Sequence, residues 1–195
     1  MNPAFLHPTP CIDADHPTVV AQARALAQGA GSTQDLVRRC FEFVRDEIRH
    51  SSDHRLNPVT CTASDVLRER TGFCYAKSHL LAALLRANGV PAGLCYQRLS
   101  MADSGQGAPY GLHGLNAVWL AEFGWVRLDA RGNKPGLSTE FRPPAVSLAY
   151  TAREPQERDL PEIWAEPLPV VREVLEGATR FEDVLARLPD IELLV

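Results

Sequence analysis

The chain has 195 residues, 45% of them apolar and 23% charged, and its 20 basic and 24 acidic side chains leave a formal net charge of −4. That length suits one domain with a substantial core, and interspersed charges of both signs exclude a basic stripe for nucleic acid, so Arg38, Arg39, Arg45 and Arg49 read as the solvated face of one helix. No window approaches ~18 apolar residues and Met1–Pro8 has neither a basic nor a continuous apolar leader region, so the expectation is a cytoplasmic protein with neither a membrane nor a nucleic-acid partner.

In chain order, Pro3, Pro8 and Pro10 forbid an early helix and keep residues 1–15 extended. Asp15 is a candidate cap for a helix from Thr18 to Gln28, which Gly29-Ala30-Gly31 ends. Ser32 or Thr33 caps a second helix, amphipathic because Leu36, Val37, Cys40, Phe41, Val44 and Ile48 recur at three- and four-residue spacing. His50 to Thr62 is polar and turn-rich and reads as loop. His50, His54 and Cys61 fit no standard metal-ligand spacing there, and the histidines read as exposed loop side chains. The five cysteines, Cys11, Cys40, Cys61, Cys74 and Cys95, are odd in number and contain no C-x-x-C pair, which argues against a disulfide framework or a zinc site. A short helix starts at Ser64-Asp65 and ends near Gly72.

Gly72-Phe73-Cys74 then opens the most apolar helix of the chain. Leu80, Leu81, Leu84 and Leu85, with Ala76, Ala83 and Ala87 between them, cover more than one face, so this is the central core helix, and Asn88-Gly89 followed by Pro91 stops it. Beyond it the pattern turns strand-like: Gly93–Leu99 is one strand, Ser100–Pro109 a glycine-containing loop able to border a site, and Leu112–Leu120 and Trp125–Asp129 an antiparallel hairpin turning near Glu122–Gly124. Arg131–Pro144 reads as loop, Ala145–Ala152 as a strand, Arg153–Pro169 as a charged connection, and Val170–Glu176 and Arg180–Leu188 as short closing helices.

Cys74 sits at a helix N-terminus, where unpaired N–H groups and the dipole favour a thiolate and so a nucleophile. Such a nucleophile needs a base, which is most often a histidine held by a third group. His79, five positions along the helix, lies about 140° round from Cys74. His113 on a strand is the better partner, and Asp129 on the next strand is an even number of positions away, so an odd hairpin loop sets both on one face. Taken singly, these residues read as a buried small hydrophobe, a half-buried strand histidine and a strand-end aspartate. Together, in the order Cys, His, Asp, they point to nucleophilic catalysis.

Gly72-Phe73-Cys74 opening an apolar helix that ends Asn88-Gly89-Val90-Pro91, His113 on one strand and Gly124-Trp125-Val126-Arg127-Leu128-Asp129 on the next resemble the transglutaminase-like superfamily, in its compact bacterial branch. The resemblance spans roughly Leu36 to Asn133 and includes the preceding helix Phe41–Arg49 and its Ser64-Asp65-Val66-Leu67 lead-in. It implies an α+β, papain-like transglutaminase core, a central helix with an N-terminal Cys packed on an antiparallel sheet, in a single domain over residues 1–195 with its core at about 36–133. It also implies acyl transfer through a thioester without a cofactor or metal: Cys74 as nucleophile, His113 as base and acid, Asp129 as orienter. Two positions depart from the family pattern, His113-Gly114-Leu115 where His-Ala-Trp is usual and Ala130 where proline usually follows the aspartate. The oxyanion donors would be the Cys74 backbone N–H and one of Tyr75, Gln97 or Tyr110.

The expected function is a cysteine-protease or amidase-type hydrolase acting on a peptide, protein or small amide or ester. Alternatives are transfer to an amine, as in protein-glutamine acyltransferases, transfer of the kind seen in arylamine N-acetyltransferases, and a non-catalytic binding scaffold. The second is similar in its Gly-aromatic-Cys helix opening but usually carries Arg-Gly-Gly where this chain has Arg70-Thr71-Gly72. The oligomeric state stays open.

Overall fold

The computed structural model describes residues 2–102, 104–153 and 155–192. A 3₁₀ turn (Pro3–Phe5) precedes helices α1 (Pro17–Ala27) and α2 (Thr33–Glu47). Strand β1 (Arg49–His50), helices α3 (Ser51–His54) and α4 (Ala63–Glu69) and strand β2 (Thr71–Gly72) lead into α5 (Cys74–Ala87). Strands β3 (Ala92–Ser100), β4 (Tyr110–Leu120), β5 (Gly124–Leu128) and β6 (Arg158–Asp159) follow, and helices α6 (Pro169–Glu176) and α7 (Phe181–Leu185) come last.

The order of the main sheet is β5-β4-β3-β6, antiparallel at each pairing. Helix α5 packs on β3 and β4 and also on α1, α2 and α4, and for that reason it is buried around its whole circumference, at every residue from Cys74 to Arg86. Burying each of its leucines contributes roughly 1.5–3 kcal/mol. The one guanidinium on this core helix, Arg86, donates to the carbonyls of His7 at 2.9 Å, Ala92 at 2.9 and 3.0 Å and Ala165 at 2.7 Å. A buried cation is thereby satisfied, and both outer segments of the chain are tied to the end of α5.

The β4–β5 hairpin pairs Leu120 with Gly124 and Asn116 with Leu128. The loop between them is therefore Ala121-Glu122-Phe123, an odd count, and Gly124 supplies the positive φ of +73° that the turn demands. Extending the register by one residue sets Asp129 opposite Leu115, on the same sheet face as His113.

Several local expectations are corrected. His16, not Asp15, caps α1, its Nδ1 accepting from the Thr18 N–H at 3.4 Å. Of the two caps expected for α2, Ser32 is the one used, its Oγ accepting from the Asp35 N–H at 3.1 Å. Thr62 caps α4, which starts at Ala63, with its Oγ1 accepting from the Asp65 N–H at 3.2 Å. A single 3₁₀ turn forms among the N-terminal prolines, since proline is tolerated at the first position of a helical turn. The 50–62 stretch is not all loop: α3 is one helical turn, stopped by Arg55 in the left-handed region at φ 54°. Residues 145–152 form no strand. Their polar backbone is satisfied by side chains instead, the Ala149 N–H by the Asp129 carboxylate at 3.0 Å and the Tyr150 carbonyl by Gln97 Nε2 at 3.1 Å.

Candidate active site

Helix α5 opens at Cys74 after Phe73 in an extended conformation, and no side chain caps its first turn. The short parallel pairing of β1 with β2 sets His50 opposite Gly72 and so brings the α2–α3 junction to this helix end. Lys77, 1% exposed, fastens that junction by donating to the carbonyls of Ile48 and, at 3.3 Å, Arg45. Burial, with the Arg131 guanidinium nearby, pushes its ammonium down to about 7.

From the sheet side, β4 passes so close to α5 that a Cβ on Gly114 would lie 3.1 Å from the Tyr75 Cα and 3.2 Å from the Tyr75 N. The Gly114 backbone N–H donates to Cys74 Sγ at 3.4 Å. Where the family usually has alanine, this chain therefore has the residue that permits the contact.

His113, one residue earlier, binds the Asp129 carboxylate through Nε2 at 2.7 Å, leaving Nδ1 as its other ring nitrogen. Asp129, fully buried, also accepts from the backbone N–H groups of Arg131 at 3.1 Å and Ala149 at 3.0 Å. Burial opposes charge on both groups. On His113 the Asp129 carboxylate outweighs it, Cys74 adds a charge interaction and a hydrogen bond, and the imidazole is held up at about 10. On Asp129 the burial penalty is outweighed by His113 and the two N–H groups, which keep the carboxyl below its ordinary value. The Tyr150 ring stands edge-on to His113, centroids 4.9 Å apart.

Cys74 and His113 line one cleft of about 570 Å³. Ser100, Met101, Ala102 and Gly105 border it from the glycine-containing loop, of which Asp103 lies outside the described residues. Of the three side chains expected as second oxyanion donors, Tyr75 belongs to a residue that lines the cleft, while Gln97 and Tyr110 do not line it. The buried Tyr75 hydroxyl donates to the Leu112 carbonyl. Gln97 is 0% exposed, its amide nitrogen donating to the Tyr150 carbonyl and the Asp159 carboxylate. Tyr110 lies outside the cleft lining, its ring under the Arg98 guanidinium at 4.2 Å.

His50, by contrast, is 8% exposed rather than a solvated loop residue, and it lines the cleft. Its ring lies 5.7 Å from that of Phe73, and its Nδ1 has no hydrogen-bond partner among the described residues. Burial, reinforced by Arg131, holds it neutral, well below the ordinary histidine value. Arg131 in turn grips Asp53 through both terminal nitrogens, at 2.6 and 3.0 Å. No periodicity signals His50, because a two-residue strand has none; the polar run His50-Ser51-Ser52-Asp53 next to the end of α2 is its only trace in the sequence.

The family model described as the transglutaminase-like superfamily matches residues 20–130, more than half the chain and the whole span from Cys74 to Asp129. The chain belongs to the transglutaminase-like superfamily. Among solved structures, a candidate cysteine protease from Cytophaga hutchinsonii shares the fold at 20% identity and a TM-score of 0.51, over 65% of this chain and 40% of that one. The periplasmic domain of TgpA from Pseudomonas aeruginosa is similar at 25% identity and a TM-score of 0.47, over 65% of this chain and 45% of that one. This transglutaminase-like chain thus spans less than half the length of either. No curated protein matches it. Among the described residues no helix is long and apolar enough to cross a membrane.

Proposed function

We propose that the chain, read as one transglutaminase-like domain, is a thiol-dependent amide or ester hydrolase with Cys74 as nucleophile, His113 as proton carrier and Asp129 as orienter. The observation that carries this reading is the 2.7 Å bond from His113 Nε2 to a carboxylate with no water contact, on the imidazole that shares a cleft with Cys74. A histidine so held is protonated and carries the proton that a leaving group needs.

In the first half-reaction the thiolate sulfur attacks the acyl carbon. The developing oxyanion meets the Cys74 N–H and the neutral His50 ring, a donor that does not compete for the proton. The imidazolium passes its proton to the leaving amine or alcohol, and the C–N or C–O bond breaks to leave a thioester. Water then attacks the thioester, His113 takes its proton, and the carboxylic acid leaves as the thiolate is restored. An amine in place of water would give acyl transfer by the same steps, so product analysis with and without added amine separates the two. Peptide amides are the first substrates to test.

Limited alkylation by iodoacetamide near neutral pH tests the activated sulfur. Cys74 is expected to label well ahead of the half-buried Cys61 and of Cys40 and Cys95, whose thiols burial pushes up to about 12 and about 11. Labelling of Cys74 no faster than Cys61 would overturn the proposal.

A further inference from the structure

Away from the cleft, a second set of sulfurs converges. Cys11 from the N-terminal segment and Cys61 from the approach to α4 are free thiols with their Sγ atoms 3.7 Å apart. The carboxylate of Glu176, the last residue of α6, joins them, and the three ligand atoms all lie within 4.8 Å of one another. We propose that Cys11, Cys61 and Glu176 form a binding site for a thiophilic divalent metal ion of the zinc class, independent of the acyl-transfer site.

The spacing is the first argument. Two thiolates bound to a tetrahedral zinc at ~2.3 Å lie ~3.8 Å from each other. The observed 3.7 Å matches that edge. The donor set is the second: two soft sulfurs with one carboxylate select zinc-class ions over magnesium or calcium, which want oxygen alone.

Pre-organisation is the third. The Cys11 carbonyl accepts from the Ala63 N–H at 3.0 Å, and the Cys61 carbonyl accepts from His79 Nδ1 at 2.8 Å, so both cysteine backbones are fixed before any ion arrives. Asp13 adds a further tie, accepting from the Ser64 N–H at 3.0 Å. Cys11 is buried, while Cys61 is half-buried and Glu176 exposed, so the ion would be reached from the Glu176 side and take water as its fourth ligand.

Binding replaces two thiol protons with one metal ion, so two protons are released and affinity falls as pH falls. Glu176 must also leave its 3.7 Å ion pair with Arg172, an exposed and weak contact. The ion would clasp three stretches that are remote in sequence: the N-terminal segment, the entry to α4, and α6. Fifty positions separate the two cysteines, so no spacing motif announces the site.

Cobalt(II) titration of the whole purified chain under reducing conditions tests this. The wild type is expected to bind one equivalent with a thiolate-to-cobalt charge-transfer band and the intense visible bands of a tetrahedral site. Cys74→Ala should leave those bands unchanged. Cys11→Ser and Cys61→Ser should each lose about half the charge-transfer intensity, one of two thiolates being gone. Glu176→Gln, a surface change that leaves the fold intact, should keep the band but require about tenfold more cobalt to reach it. Equimolar zinc should raise the thermal midpoint of the wild type and not that of the Cys11→Ser, Cys61→Ser double variant. Absence of a tetrahedral spectrum in the wild type, its loss in Cys74→Ala, or its persistence in the double variant would each overturn the proposal. A wild type that binds cobalt but shows no acyl chemistry would leave the metal site standing and remove only the proposed function.

Discussion

His113 and His79 are both shielded from water, at 4% and 0% exposure, yet at neutral pH the first is protonated and the second neutral. Both belong to the packing around α5. His79 has a backbone carbonyl on Nδ1 and nothing among the described residues on Nε2, and burial pushes it down to about 4. His113 suffers the same burial, but a carboxylate on Nε2 and the Cys74 sulfur hold it up at about 10. The difference teaches that depth alone makes a histidine neutral and inert, while depth plus a fixed anion makes it a stored proton. The cleft end of α5 is built around that stored proton, and the middle of the helix excludes it.

The largest expected effect comes from erasing the difference. Asp129→Asn removes the anion and leaves the burial, so turnover should fall about 10²- to 10⁴-fold. Histidine NMR should show the His113 titration moving from about 10 to below its ordinary 6.5, towards the behaviour of His79. Retention of the high value would mean that something other than Asp129 charges the ring.

Leu81→Ala attacks the packing instead. A fully buried side chain on the central helix is lost, with an expected cost of about 2–5 kcal/mol in urea unfolding. His113 should titrate unchanged, which separates packing from charge. Gly114→Ala is expected to cost about 1–3 kcal/mol, because the new methyl must push β4 off the first turn of α5. It should also slow Cys74 alkylation, since the N–H that meets the sulfur moves with the strand.

The same contrast explains how far the fold was legible. Helix α5 and the β4–β5 hairpin are read readily because burial there is continuous, from Cys74 to Arg86 on the helix and from Gly111 to Val118 on β4, and because glycine marks the turn where φ is positive. The Cys74, His113 and Asp129 arrangement follows from those elements and from loop parity. The stretches that resisted are held by single hydrogen bonds rather than by a repeating pattern. Residues 145–152 look like a strand, yet their backbone is spent on Asp129 and Gln97. Strand β6 is a two-residue edge pairing with Gln97 and Arg98, too short to leave a period. His50 is polar in a polar run, and only its pairing opposite Gly72 turns it into the cleft. Tyr75 and Gln97 carry the right donors, but burial commits them to internal partners.

A smaller effect sharpens the account through pH. The His113 value in the folded chain lies above the unfolded 6.5, so its contribution to stability is fully present below about 6.5 and is lost as pH rises through about 10. The stability margin of wild type over His113→Gln should therefore shrink across that window in chemical denaturation, whereas His79→Gln should show no loss there.

The central claim, that Cys74 is the sulfur that carries the acyl group, is tested most directly by trapping that group. Wild-type chain is mixed with p-nitrophenyl acetate, quenched in acid during the burst, and mapped by peptide mass spectrometry. One acetyl group is expected on Cys74, absent from Cys74→Ala and slow to form in Asp129→Asn. An acetyl group found equally on Cys61 or Cys11, or p-nitrophenol released at the wild-type rate by Cys74→Ala, would contradict it.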